Sequence, residues 1–127
     1  MGILTVLAFV VVNDLGGSVD ERLIQMNSLQ DTSVEIQGTC LSACTMFLGL
    51  PHVCVSPQAT LGFHGPRTAL PGIPLPRKEF EKYSHVMAQE YPPKLRSWFL
   101  KEARYHINDI ILLSGSEVIK LGSKECK

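Results

Sequence analysis

The run from Ile3 to Val12 is the feature that most restricts this chain. It is ten residues long, apolar almost throughout, and passes straight into Asn13-Asp14-Leu15-Gly16-Gly17. A membrane span needs about twenty apolar residues, and a secretory signal needs a basic start and a small-residue cleavage site. Neither is present here. Four valines and a threonine in the run favour instead a strand buried on both faces, as in a parallel sheet. With no export signal in view, the expected compartment is the cytoplasm, or the periplasm if a leader has been removed.

Beyond this strand the periodicity alternates. Asn13 to Ser18 is a glycine-rich turn where backbone can approach a ligand closely. Val19 to Leu29 carries apolar residues at 19, 23, 24 and 26 with Asp20 and Glu21 in its first turn, the pattern of an amphipathic helix. Thr32 to Ile36 reads as a second strand. Leu41 to Leu50 is a nearly all-apolar helix that should be buried and that Pro51 stops. Val53 to Val55 and Thr60 to His64 are short strands. Gly65 to Pro76 is a stiff loop with four prolines, either a substrate-lining segment or a plain connector. Arg77 to Glu90 and Pro93 to Tyr105 are helices separated at Pro92-Pro93. Ser114 or Ser116 caps a last short helix that ends at Gly122. Such alternation argues for an α/β fold of βαβ units with a mostly parallel sheet. At 127 residues the chain is a single domain, residues 1–127.

Twelve basic residues balance twelve acidic ones, so no net field draws in a polyanion, and no nucleic-acid partner and no membrane are expected. The four cysteines are spaced x3, x9 and x71, which fits no zinc finger or ribbon. Burial as thiols is favoured over a disulfide involving Cys40, Cys44 or Cys54, and no metal and no cofactor are expected.

Two segments carry chemistry. Gly38-Thr39-Cys40-Leu41-Ser42-Ala43-Cys44-Thr45 follows a strand and opens a helix, so Ser42 stands near free N–H groups and the positive end of a helix dipole. Gly62-Phe63-His64 comes next, with His64 lying 22 residues after Ser42. With the upstream Leu15-Gly16-Gly17-Ser18 turn, these supply a nucleophile, a base and backbone donors for an oxyanion. Taken alone, Ser42 reads as a capping residue and His64 as a buried core histidine; their order with the glycine turn favours catalysis.

The ordered set Val12-Asn13-Asp14-Leu15-Gly16-Gly17, Gly38 to Ala43, and Gly62-Phe63-His64-Gly65-Pro66 resembles the Clp-protease-type serine peptidases of the wider Clp/crotonase superfamily. The Cys-x-Ser-Ala-Cys and Gly-Phe-His forms are nearest a secreted or periplasmic bacterial branch. The similarity covers about residues 5 to 66, and the tail from Asn108 to Gly122 matches more loosely. It implies a Clp/crotonase-like fold of repeated β-β-α and βαβ units. It also implies a serine endopeptidase, a hydrolase working through an acyl-enzyme on peptides or unfolded polypeptide. The catalytic triad it implies is Ser42, His64 and Asp109, with the N–H groups of Gly17 and Ala43 as the oxyanion hole. Asn108 or Asp14 could replace Asp109 as the acid, and His52, His85 and His106 receive no role.

The chain departs from that pattern in two respects. It starts within the first recognisable strand, as though shortened at the N-terminus, and Pro92-Pro93 breaks the family's long ring-contact helix. Both argue against an ATPase unfoldase partner. A homo-oligomer is still expected, on the apolar surface of Leu41 to Leu50 and of Trp98-Phe99. The alternatives are an inactive Clp-like binding or assembly module and, behind it, a crotonase-type acyl-CoA enzyme.

Overall fold

The computed structural model describes residues 7–70 and 72–127. The first part of the expected Ile3 to Val12 strand lies outside them. The strand that is described, β1, spans Phe9–Asp14. Helix α1 (Val19–Ser28) returns the chain to β2 (Val34–Leu41), which pairs with β1 in parallel. A 3-10 helix (Ser42–Gly49) then leads to β3 (Val53–Val55) and β4 (Thr60–Phe63). Both pair in parallel with the other edge of β2, β3 with its first half and β4 with its last. Helices α2 (Arg77–Ala88) and α3 (Pro93–Lys101) precede β5 (Ile111–Ser114), which runs antiparallel to β4, and α4 (Gly115–Lys120) follows. The result is an α/β protein with a five-stranded, mostly parallel sheet.

The local signals explain most element ends. Ser18 caps α1 by accepting from the Glu21 N–H at 3.2 Å, and Pro93 opens α3. Ser114 and Glu117 form a reciprocal capping box on α4. The core gathers Val34, Ile36, Phe47, Val55, Leu61, Phe63, Tyr91, Leu95, Phe99 and Val118 between sheet and helices. Phe63, Tyr91 and Phe99 meet edge to face.

Four expectations are corrected. β1 is not buried on both faces: it is an outer strand of the sheet, only Val11 is buried, and Val12 is 66% exposed. The second strand, expected over Thr32 to Ile36, does not stop before Gly38. The pairing of β1 with β2 shifts between Val11↔Ile36 and Asn13↔Thr39, a bulge across which β2 continues to Leu41. The apolar surface offered for self-association is mostly spent inside the chain, since Met46, Phe47, Leu48 and Phe99 are buried and Trp98 is half-buried.

The cysteines are the fourth correction. They form two disulfides, Cys40–Cys44 and Cys54–Cys126. Cys40 is the penultimate residue of β2 and Cys44 lies about one helical turn past it, which sets their Cα atoms 5.3 Å apart. Cys54 and Cys126 are 72 residues apart in sequence, but the parallel bridge Val55↔Glu125 brings the C-terminus alongside β3. Both Cα separations, 5.3 and 4.8 Å, fall in the range a disulfide needs.

Candidate active site

β1, β2 and β4 are parallel neighbours, so their C-terminal ends share one edge of the sheet, where open α/β folds place their ligands. β1 leads into Leu15-Gly16-Gly17, β2 into Ser42 and β4 into His64. All three meet on the wall of one cavity of about 560 Å³ lined by Gly17, Ser42 and His64 together with Leu15, Val19 and Met87.

Ser42 has φ +59°, the only positive φ of a non-glycine residue among the described residues. Serine in this left-handed conformation is costly, on the order of 1–3 kcal/mol, and persists only where the surroundings hold it. Three restraints do so. The Cys40–Cys44 disulfide brackets the residue two positions away on either side. Thr45 Oγ1 donates to the Ser42 carbonyl at 2.6 Å. The Tyr91 hydroxyl meets the same Thr45 Oγ1 at 2.6 Å. A sharp strand-to-helix turn of this kind lifts a serine hydroxyl out of the sheet edge.

The turn after β1 passes close beside the serine. A Cβ placed on Gly16 would come within 2.7 Å of Ser42 Cβ and 3.2 Å of Ser42 Oγ, and Gly16 itself has φ +99°. No other residue type combines that conformation with that approach. Gly17 lines the cavity, and Ala43 is the second residue of the 3-10 helix, where backbone N–H groups lack an acceptor inside the helix. Both expected oxyanion donors therefore belong to segments flanking Ser42.

His64 is nearly enclosed, 7% exposed, and its Nδ1 lies 2.7 Å from the Gly65 carbonyl. A carbonyl only accepts, so Nδ1 carries the proton and Nε2 is left as the basic nitrogen. Burial pushes the imidazole pKa below its ordinary value; the Gly65 carbonyl opposes this and the Arg67 charge adds to it. Gly65 is held by its N–H on the His106 carbonyl at 2.9 Å, so close to the Arg104 carbonyl that a Cβ would collide with it. Among the described residues no direct hydrogen bond joins Ser42 Oγ to His64; they share the cavity.

Asp109 is corrected as the triad acid. Both its carboxylate oxygens lie 3.1 Å from Nδ1 of His106, and its side chain is 68% exposed. The physical reason is local: His106 is three residues away in the same surface turn, whereas the Nδ1 of His64 is already taken by the adjoining carbonyl. Asp14, the other acid near the glycine turn, is committed to Arg22. His106, given no role from sequence, is the partner of Asp109 and supports Gly65 through its carbonyl.

The loop after His64 lines the site rather than merely connecting. Pro66, Arg67, Thr68, Ala69 and Leu75 stand on the cavity wall, and Arg67 Nη1 donates to the Ile107 carbonyl at 2.8 Å. Opposite, the Tyr83 hydroxyl donates to Asp20 at 3.1 Å and links α2 to α1. Apolar Leu15, Val19, Leu75 and Met87 between them form a wall suited to an uncharged side chain. Among the described residues no group of three or more His, Cys, Asp or Glu side chains is placed to hold a metal ion, and no helix is long and apolar enough to cross a membrane. No family model and no curated protein sequence matches the chain.

Three features of the candidate site were not visible in the sequence. Asp14 with Arg22 is foreshadowed only by the Asp-x-Gly spacing that favours a side-chain turn. The Gly65 carbonyl is a backbone atom and leaves no trace in residue type. Tyr91 reaches Thr45 across 46 residues, a pairing that only the packing of α2 and α3 creates.

Proposed function

We propose that this protein is a serine hydrolase that cleaves peptides or unfolded polypeptide through an acyl-enzyme, with a Ser–His dyad completed by a backbone carbonyl. The observation that carries this reading is the left-handed Ser42 at the β2–helix junction, on the same cavity wall as a buried histidine whose Nδ1 is held by a carbonyl. Strain retained at a cavity is the mark of a functional position. The order of the three motifs, similar to that of Clp-type peptidases, supports the same chemistry.

In the proposed reaction Ser42 Oγ attacks the substrate carbonyl carbon while His64 Nε2 takes the hydroxyl proton. The tetrahedral oxyanion receives N–H groups from the Gly17 turn and from Ala43. His64 then protonates the leaving amine, the C–N bond breaks and an ester forms on Ser42. Water, deprotonated by His64, attacks that ester and releases the acid. The imidazolium formed midway is steadied by the Gly65 carbonyl in place of a carboxylate.

Two disulfides favour an oxidising compartment, such as the periplasm, over the cytoplasm. Self-association is part of the reading on different grounds from those in the sequence. The outer strand β1 exposes Val10 and Val12, and Ile24 on α1 is 70% exposed.

The absence of a direct Ser42–His64 hydrogen bond favours a second reading, a Clp-like binding module without turnover. Catalytic hydrogen bonds are often long before substrate arrives, so a reaction decides. A fluorophosphonate probe should label the wild-type chain and leave Ser42→Ala and His64→Ala unlabelled. A wild type that resists the probe and hydrolyses no peptide ester would leave the binding module standing.

A further inference from the structure

Asp14 closes β1 and Arg22 lies eight residues on, in α1. Arg22 grips the carboxylate with both terminal nitrogens, Nη1 at 2.6 Å and Nη2 at 2.9 Å. The same carboxylate accepts the Gly16 N–H at 2.9 Å, so Asp14 folds the turn over itself. The guanidinium also stands 4.9 Å from the ring centroid of Phe47, in the helix that Ser42 begins. The pair is sheltered, with side chains 10% exposed for Arg22 and 24% for Asp14. One side chain thus holds the glycine turn, and its partner rests on the nucleophile's own helix.

We propose that Asp14 and Arg22 are positioning residues that keep the Leu15–Gly17 turn in fixed register with Ser42, so that its backbone N–H meets the oxyanion when it forms. The inference rests on the serine-hydrolase reading above. Gly16 lies so near Ser42 that even an added Cβ would collide with it, so a turn freed from Asp14 moves against the nucleophile or away from it. A neutral hydrogen bond could shape the turn alone. The bidentate grip does more, because it fixes the plane of the carboxylate, and the plane fixes the direction of the Gly16 N–H. Of the apolar wall, Val19, Leu75 and Met87 lie outside the turn and only Leu15 moves with it, so ground-state substrate binding depends less on the pair than the oxyanion does. The contribution of Asp14 and Arg22 therefore falls on the transition state.

The test uses the full chain, a chromogenic peptide ester and a fluorophosphonate probe, with thermal melts on every variant. Asp14→Ala should lower kcat about 100-fold, the range for losing one oxyanion donor, with KM changed less than about threefold. Asp14→Asn, of the same shape, keeps an acceptor for the Gly16 N–H and loses the ion pair, so about a tenfold loss is expected. Arg22→Lys keeps the charge without the fork and should recover only part of the activity lost in Arg22→Met. Probe labelling should slow in parallel with kcat. The double variant Asp14→Ala with Arg22→Met should be no slower than Asp14→Ala alone, because the two act as one unit. If Asp14→Ala fails to fold, Asp14→Asn carries the measurement. A lower melting temperature with kcat of the folded fraction within about threefold of wild type would make the pair structural only, and losses that multiply would also overturn the inference. A wild type that the probe does not label removes the serine reading and this inference together.

Discussion

The Tyr91 hydroxyl lies 2.6 Å from Thr45 Oγ1, and Thr45 spends its one proton on the Ser42 carbonyl. Tyr91 must therefore be the donor to Thr45. A fully buried phenol from the α2–α3 connection thus reaches, through one threonine, the backbone of the proposed nucleophile. Burial pushes the Tyr91 pKa up, so it remains a donor through the physiological range.

Removing this donor tests the relay. Tyr91→Phe keeps the ring contacts with Phe63 and Phe99 and deletes one buried hydrogen bond. A loss of about 1–2 kcal/mol in stability is expected by urea denaturation. Turnover should fall only a few-fold, because Thr45 still donates to Ser42.

The pH profile follows from His64. Its base form is required, and its pKa is held below the ordinary histidine value, chiefly by burial. The acid limb of kcat/KM should therefore break below about pH 6.5, the value of a free imidazole. Arg67→Gln removes the charge that adds to the lowering and should move the break upward. The linked stability has a definite sign. A histidine with a depressed folded pKa binds a proton more readily when unfolded, so its contribution is full above the unfolded value and is lost as pH falls toward the folded one. Melts between pH 7 and 5 should show that loss in wild type and less of it in His64→Gln.

Asp109→Asn separates the dyad from the triad. With Asp109 on His106 and Gly65 on His64, turnover should stay within about threefold of wild type, where a true triad acid would lose on the order of 10⁴. A loss of that size would bring Asp109 back to the imidazole.

How much of this could be read beforehand varies with the range of the interaction. Pro93 and the Ser114 or Ser116 choice announced their helices because such signals act within one turn, whereas Ser18, expected only as the end of the glycine turn, proves to be the cap of α1. Ser42, His64 and the glycine turn were legible because each sits where a strand ends, and strand ends are marked by local pattern. Asp109 misled because a loop acid before an apolar run says nothing about which histidine it faces. The cysteines misled for a similar reason. Nothing near Cys54 signals a partner 72 residues away, and β1 looked doubly buried because apolar content does not reveal that a strand lies at the edge.

The two disulfides should separate in stability measurements. In the chain-entropy account the closed-loop length sets the gain, giving about 4 kcal/mol for Cys54–Cys126 and about 2 kcal/mol for Cys40–Cys44. Paired serine substitutions should lower stability in that order. Activity should fall in the opposite order, since Cys40–Cys44 brackets Ser42 and Cys54–Cys126 lies at the edge of β3. Equal activity losses would mean that the bracket does not hold the turn.

The last prediction concerns the backbone of Ser42 itself. At φ +59° a side chain costs conformational energy that glycine does not incur. Ser42→Ala and Ser42→Gly both delete the hydroxyl, and both should be inactive and unlabelled. They differ in the strain they keep. Alanine retains a Cβ in the left-handed region, whereas glycine releases it but gains freedom when unfolded. Strain of about 1–3 kcal/mol against an entropy cost near 0.5–1 kcal/mol leaves Ser42→Gly more stable than Ser42→Ala by about 1 kcal/mol. Denaturant midpoints with unchanged slopes would measure it. If Ser42→Ala is the more stable of the two, the strain in the left-handed turn is smaller than glycine's entropy cost of about 0.5–1 kcal/mol, and the strongest ground for regarding Ser42 as functional is gone.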